Sequence, residues 1–264
     1  MKDTLQAIYR YRDFITGSVK RDFQSRYQAS FLGAAWLILQ PVAMILVYTL
    51  IFSQVMRARL PEVSGSFSYS IYLCSGLLTW GLFAETLSNL QNVFLSNANL
   101  LKKISFPKIC LPIIASLSSF INFLIIFALF TIFLIASGNF PGIYFLALFP
   151  VVIIQMLFAI GLGVILGVMN VFVRDVGQFV GILLQFWFWF TPIVYIANTL
   201  PAWVRGAISY NPLTNIIESY QSIFVYHKWP NWESLLPITI ISILLCIFAF
   251  SMFRKHAADI VDEI

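Results

Sequence analysis

The residues able to do chemistry are few in this chain, and their spacing does not assemble a catalyst. The two histidines, His227 and His256, stand far apart. No HExxH, GxSxG or paired-carboxylate spacing occurs, which argues against metalloprotease, serine-hydrolase and acid–base chemistry. No GxxxxGK[ST] loop is present, so this chain offers no P-loop for ATP. Cys74, Cys110 and Cys246 show neither metal-ligand spacing nor a disulfide framework and read as small apolar residues. No metal and no cofactor is expected in this chain.

Aromatic residues are the densest chemistry-bearing feature, at 17% of the chain. Phe186-Trp187-Phe188-Trp189-Phe190 run consecutively beside Pro192, and Trp36, Tyr48, Trp80 and Phe83 lie in other apolar stretches. A flat aromatic face stacks on the C–H face of a sugar ring and tolerates sliding, because the contact is not tied to one hydrogen-bond geometry. On that reading Trp36, Tyr48, Trp80, Phe83, Trp187 and Phe190 line a substrate path. The other reading is packing and interfacial anchoring, where Trp and Tyr gather in any case. Five consecutive aromatics point in all directions around a helix, so only some can face a lumen. Glu85 is the one acid well inside an apolar run. It either lines a path or makes a helix–helix hydrogen bond as a protonated carboxyl.

What must position these residues is a set of six long apolar runs: Gly33–Met56, Tyr69–Leu90, Ile109–Ala136, Tyr144–Asn170, Gln178–Ala197 and Ser234–Phe253. A span needs about 20 mostly apolar residues to cross a hydrocarbon core of roughly 30 Å. Each must be helical, because lipid offers the backbone no hydrogen-bond partners. Hydrophobic residues make up 60% of the chain and charged residues 10%, far from the balance of a soluble domain. The first run is too long and too far from the start for a cleavable signal peptide.

Charge sets the orientation. If both termini share one side, that side holds Lys2, Arg10, Arg12, Lys20, Arg21, Arg26, Lys102, Lys103, Lys108, Arg174, Arg254 and Lys255. The other side holds only Arg57, Arg59, Arg205 and Lys228. The positive-inside rule makes the richer side cytoplasmic, with both termini inside and the protein multi-pass in the inner membrane. The pI of about 9.2 then needs no nucleic-acid partner, since the basic residues lie where anionic lipid headgroups attract them.

The expected organisation is a single membrane domain, 1–264. Residues 1–32 form an amphipathic interface arm in which Leu5, Ile8, Tyr11, Ile15 and Val19 recur at helical spacing opposite Lys2, Arg10, Lys20 and Arg21. Residues 33–253 form the six-span bundle, and 254–264 a cytoplasmic tail. The second-to-third connection, 91–108, predicts a short helix started by Ser96, Asn97 or Asn99 and ended by Phe106–Pro107. The fifth-to-sixth connection is too apolar for a solvated loop and predicts two short helices, near 201–208 and 212–226, folded partly into the outer leaflet. Asn211–Pro212 starts the second, as an N-cap followed by proline. Ala159, Gly163 and Gly167 carry small-xxx-small spacing for close helix contact, and Pro41, Pro150 and Pro192 can kink their spans.

Several pieces together resemble the permease subunit of type-two ABC exporters, within the polysaccharide-export branch. They are RYQASFLGAAWLILQP at the first span, NLLKKISFPKICLP after the second, VFVRDVGQFV before the fifth, FTPIVY within it and NPLTNIIESYQ beyond it. Arg174–Asp175 and Arg26–Tyr27 look more like O-antigen and teichoic-acid exporters than capsule exporters. The resemblance implies a separate ATP-binding cassette subunit, in two copies, that carries ATP and Mg. It implies a lipid-linked glycan as cargo. It makes 91–108 a coupling helix, with Asn97, Leu101, Lys102, Lys103, Phe106 and Pro107 docking the ATPase. It assigns gating to Arg174, Asp175, Pro192, Asn211 and Pro212. Arg10, Arg12, Lys20, Arg21 and Arg26 either attract the cargo's pyrophosphate at the cytoplasmic entrance or contact anionic lipid.

Six helices do not readily enclose a lumen wide enough for a glycan, whereas two copies about a twofold axis can. The expected protein is therefore an all-α, homodimeric export permease and not an enzyme. Two rivals stand beside it: a drug or small-lipid exporter on the same fold, and a membrane-embedded lipid–sugar transferase. The latter needs an acidic or metal-binding cluster that the sequence does not offer.

Overall fold

The computed structural model describes residues 9–27, 33–51, 67–103, 106–197 and 200–263. Lys2, Leu5, Ile8, Arg57, Arg59 and the side chain of Arg26 lie outside the described residues. Among those described, all regular structure is helical. The chain runs α1 (Arg12–Tyr27), α2 (Trp36–Tyr48), α3 (Ser68–Ser96), α4 (Ala98–Lys103) and α5 (Cys110–Ala136). A 3-10 turn, Gly142–Ala147, leads into α6 (Leu148–Phe172), followed by α7 (Asp175–Trp189), α8 (Ala202–Ser209), α9 (Pro212–Phe224), α10 (Trp232–His256) and α11 (Asp259–Glu263).

Among the described residues, three stretches combine the length and apolarity of a membrane span: Cys110–Ala136, Gly142–Phe172 and Trp232–His256. Ile38–Ile51 is apolar but shorter. α3 is longer than the apolar run that predicts it and continues to Ser96. The polar residues of its last turns have partners that let the helix go on: Asn89 donates to Ser119 Oγ at 2.8 Å, and Gln91 offers its carbonyl to Asn170 Nδ2 at 3.1 Å. α7 is shorter than the run that predicts it. Pro192 has no N–H and disfavours helical geometry in the residue before it, so the helix stops at Trp189. Its 15 residues cover only about 22 Å.

Two clusters of buried side chains hold the helices together. One gathers Phe83, Leu87, Phe130, Val151, Ile216 and Tyr220 from α3, α5, α6 and α9. The other gathers Leu90, Phe94, Leu101, Val168, Phe253 and Ile260 from α3, α4, α6, α10 and α11. Lipid tails are as apolar as these side chains, so close packing and not water exclusion favours the assembled bundle.

α6 is the central post, lying against α3 on one side and α10 on the other. Its small residues make this possible. A Cβ built on Gly167 comes within 2.5 Å of the Leu90 carbonyl oxygen, and one on Gly161 within 2.9 Å of the Cys246 backbone nitrogen. The expected small-residue contact is present at Gly163 and Gly167, and Gly161 adds a second on the opposite flank. In the N-terminal arm, Ile15 and Val19 are buried, and α1 packs on α5. The apolar stripe of this helix therefore covers the protein's own surface.

Candidate functional site

α7 touches the bundle along one narrow stripe. Val180 is its one fully buried residue, and Val176, Leu184 and Trp187 pack around it at helical spacing. The opposite face is open: Phe179, Ile182, Phe186, Trp189 and Phe190 are all more than half exposed. The aromatic run therefore divides in two. Trp187 meets Phe83 edge-on at 5.2 Å between centroids, and Phe188 meets Trp80 at 5.5 Å. Phe83 in turn stacks on Phe158 of α6 at 5.7 Å. Phe186 and Phe190 are exposed outside this nucleus, and Trp189, also exposed, meets it only at its edge, against Phe188 at 5.4 Å.

The break after α7 is unusually well satisfied. The carbonyls of Trp189, Phe190, Thr191, Pro192, Val194 and Tyr195 each accept a hydrogen bond. Their donors are Tyr195 Oη, Asn211 Nδ2, Ile193 N, Gln221 Nε2, Tyr69 Oη and Tyr72 Oη respectively, at 2.7–3.2 Å. A helix that ends before a proline leaves carbonyls without helical partners, and here α3, α9 with its cap, and the break itself supply them. Ile193 is fully buried and fits against Gly76, whose added Cβ would lie 3.1 Å from Ile193 Cγ2. α9 is anchored in the same way. Tyr220 Oη donates to Gln155 Oε1 at 2.8 Å, and Gln155 Nε2 donates to the Thr79 carbonyl at 2.7 Å, so three helices share one buried polar chain.

Asn211 joins these parts. Its side-chain oxygen caps α9 by accepting from Leu213 N at 3.1 Å and also accepts from Trp187 Nε1 at 2.9 Å. Its amide nitrogen donates to Phe190 O and Thr191 Oγ1. The expected N-cap is present, and the two short helices fall close to the expected ranges.

The residues expected to line a path separate by exposure. Phe190 is 65% exposed and Trp36 44%, Tyr48 and Trp80 are half-buried, and Phe83 has no exposed surface. Phe83 and Trp187 belong to the aromatic nucleus of the bundle. Trp36 and Tyr48 line a cavity of about 340 Å³ between α2, α3 and α5, together with Gln40, Glu85 and Asn122. There Asn122 Nδ2 donates to Glu85 Oε2 at 2.6 Å. Glu85 thus makes a helix–helix hydrogen bond and lines a cavity at once.

The residues expected at the entrance, Arg10, Arg12, Lys20 and Arg21, are exposed on the first helix and its preceding turn. Arg12 lies over the Tyr9 ring at 4.8 Å and 3.8 Å from Asp13. Of the docking residues, Asn97 ends α3, donating to the Val93 carbonyl, and α4 follows as the expected short helix. Leu101 is buried in the second cluster, and Phe106 packs against Phe14 at 5.2 Å. Pro107 is half-buried, while Lys102 and Lys103 are exposed. Lys108 Nζ donates to the Ala257 carbonyl, tying this segment to the turn before α11. Arg174 and Asp175 are exposed at the start of α7, where the carboxylate of Asp175 favours the helix N-terminus.

Sequence reasoning missed Tyr69, Tyr72, Gln155 and Gln221 as the groups that hold the break. The available signal was the presence of amides and phenols inside otherwise apolar runs, where each needs a protein partner.

The ABC-2 type transporter family profile matches residues 15–225, which takes in α2 through α9 and both halves of this site. The O-antigen export system permease protein RfbA of Myxococcus xanthus is 31% identical over 263 residues, covering 98% of each chain. A protein of the same name from Klebsiella pneumoniae is 29% identical over 244 residues, 92% of each chain. The polysialic acid transport protein KpsM of Escherichia coli is 22% identical over 199 residues, 75% of this chain and 76% of its own. With a helical membrane bundle, a satisfied proline break and a profile running through all of it, this chain belongs to the ABC-2 type transporter family.

Proposed function

We propose that this chain is the membrane permease of an ATP-driven exporter that moves a lipid-linked, O-antigen-like polysaccharide out of the cytoplasm, working as a homodimer. The observation that carries the reading is the open face of α7. Three aromatic side chains on a helix attached by one narrow stripe form a surface that a single copy leaves uncovered. The names of the relatives, at about 30% identity over nearly the whole chain, point to polysaccharide as cargo.

In this reading all six apolar runs cross the inner membrane and both termini are cytoplasmic. α2 and α7 of two copies flank the path. Phe190 and Trp36 meet the sugar, Tyr48 and Trp80 stand beside them, and Phe83 and Trp187 set the backing. Arg10, Arg12, Lys20, Arg21 and Arg26 draw the cargo's pyrophosphate to the entrance. ATP and Mg are held by a cassette subunit, present in two copies. It docks on α4 through exposed Asn99 and Lys102, while Leu101 and Phe106 transmit force because they are rooted in the protein interior. Arg174–Asp175, Pro192 and the Asn211–Pro212 start of α9 act as the gate.

The test is to delete the gene and restore it with variants, scoring surface glycan and recovery of the cassette subunit with the tagged permease. Loss of surface glycan on deletion, with the lipid-linked glycan accumulating inside, is the expected result. Normal surface glycan in the deletion strain overturns the reading. Reversing charge at Lys102 should separate the two subunits without lowering permease yield.

A further inference from the structure

A cavity of about 610 Å³ lies between α1, the end of α3, α4 and the start of α5, away from the aromatic site. Its size falls in the range of small-molecule sites, about 300–1,000 Å³. Its walls carry two cations from elements far apart in sequence, Arg21 of α1 and Lys103 of α4. Neither is ion-paired among the described residues. Arg21 is steadied by a 2.7 Å hydrogen bond from Nη2 to Ser18 Oγ, which leaves further guanidinium N–H groups free to bind. Asp22 lines the same cavity, so the balance of formal charge on its walls is one positive. Ser118 adds an independent signal: it lines the cavity, is 1% exposed, and its hydroxyl has no hydrogen-bond partner. A buried hydroxyl in that condition asks for an oxygen-bearing partner.

We infer that this cavity binds the phosphate group of a lipid headgroup at the cytoplasmic face. Arginine and lysine together with hydroxyl and amide donors suit phosphate oxygens. No aromatic ring lines the cavity, which argues against a sugar, and its single carboxylate argues against a metal ion. The phosphate has two possible sources: a resident anionic phospholipid, or the diphosphate of the lipid-linked cargo. The second source rests on the export reading above; the first does not.

The test uses the full chain reconstituted in phosphatidylcholine nanodiscs. Dihexanoyl phosphatidic acid, dihexanoyl phosphatidylcholine and inorganic pyrophosphate are titrated separately, with thermal shift and native mass spectrometry as readouts. Binding of phosphatidic acid but not pyrophosphate identifies a resident lipid, and binding of pyrophosphate identifies the cargo's diphosphate. In either case Arg21→Gln and Lys103→Gln should each weaken binding at least tenfold. Ser118→Ala separates binding from folding: it should raise the melting temperature of the unliganded protein and yet weaken ligand binding several-fold. Failure of both anions to bind, equal binding of the zwitterionic lipid, or affinity unchanged in Arg21→Gln and Lys103→Gln overturns the proposal. Binding is read on the purified chain, so a negative result leaves the export reading standing.

Discussion

Trp187 and Asn211 are joined by a 2.9 Å hydrogen bond from the indole N–H to an amide oxygen that also caps α9. The end of α7 and the start of α9 are thereby one unit, although 24 residues separate the two side chains. Replacing Asn211 with alanine removes the cap and the indole's acceptor together. The expected loss is about 2 kcal/mol from these two contacts. Asn211→Asp keeps the acceptor oxygen but loses the donors to Phe190 and Thr191, so it should fall between wild type and alanine. Thermal unfolding of the detergent-extracted protein measures both, and equal melting temperatures for all three proteins would count against the role.

Glycine tolerance should differ sharply along the chain. Gly167→Ala places a methyl against the Leu90 carbonyl, a backbone group that cannot step aside. Overpacking of this kind costs about 1–3 kcal/mol. Gly181→Ala meets nothing within 4 Å and should be neutral or slightly stabilising. The comparison needs only extraction yield and melting temperature of the two variants, and a drop for Gly181→Ala matching that of Gly167→Ala contradicts the packing account.

Tyr220→Phe leaves Gln155 Oε1 buried without its donor, at an expected cost of about 1–3 kcal/mol. Adding Gln155→Leu removes the orphaned group, so the double variant should be less destabilised than the sum of the two single changes. Strict additivity would show that the two groups do not communicate.

Leucine substitutions distinguish path from packing. Phe190→Leu should leave the protein assembled and reduce surface glycan, because leucine keeps apolar volume but loses the flat face. Trp187→Leu should lower stability first, since it breaks the bond to Asn211 and the contact with Phe83. Surface glycan and extracted protein are measured together for both. Full export by Phe190→Leu removes the stacking role from that ring.

Orientation is open to direct labelling in a cysteine-free background. A cysteine at Asn99 should resist an impermeant thiol reagent in intact cells, and one at Asn231 should react. Labelling at Asn99 in sealed cells reverses the assigned topology.

Helix positions were largely legible because apolar runs and prolines report locally. α5 starts within one residue of the expected third span, and Asn211–Pro212 begins a helix as capping rules require. The end of α3 was not legible, because Gln91 and Asn92 read as loop residues until their partner Asn170 on α6 is known. Exposure was the least legible property of the site. Phe83 and Phe190 are the same residue type in apolar runs, yet one is sealed and the other open. Only the packing of α7 on α3 and α6 distinguishes them. Leu101 and Phe106 illustrate the same limit, since an apolar side on a short helix does not say whether it faces a partner or its own chain.

The glycines of α6 carry a mechanical consequence. Gly163 and Gly167 seat it on Leu90 of α3, and Gly161 seats it on Leu245 and Cys246 of α10, with no side chain of α6 itself between the helices at these points. A helix held so closely on both flanks resists sliding, so α3, α6 and α10 form one closely packed unit. α7 is mounted on this unit through Val176, Val180, Leu184 and Trp187. Its break is fastened by Tyr69, Tyr72 and Gln221, while the opposite end begins at exposed Arg174 and Asp175. That opposite end is seated too: a Cβ added at Gly177 would lie 3.2 Å from Asn170 Oδ1 and from Gln91 Nε2, so α7 is held against α3 and α6 near both of its ends.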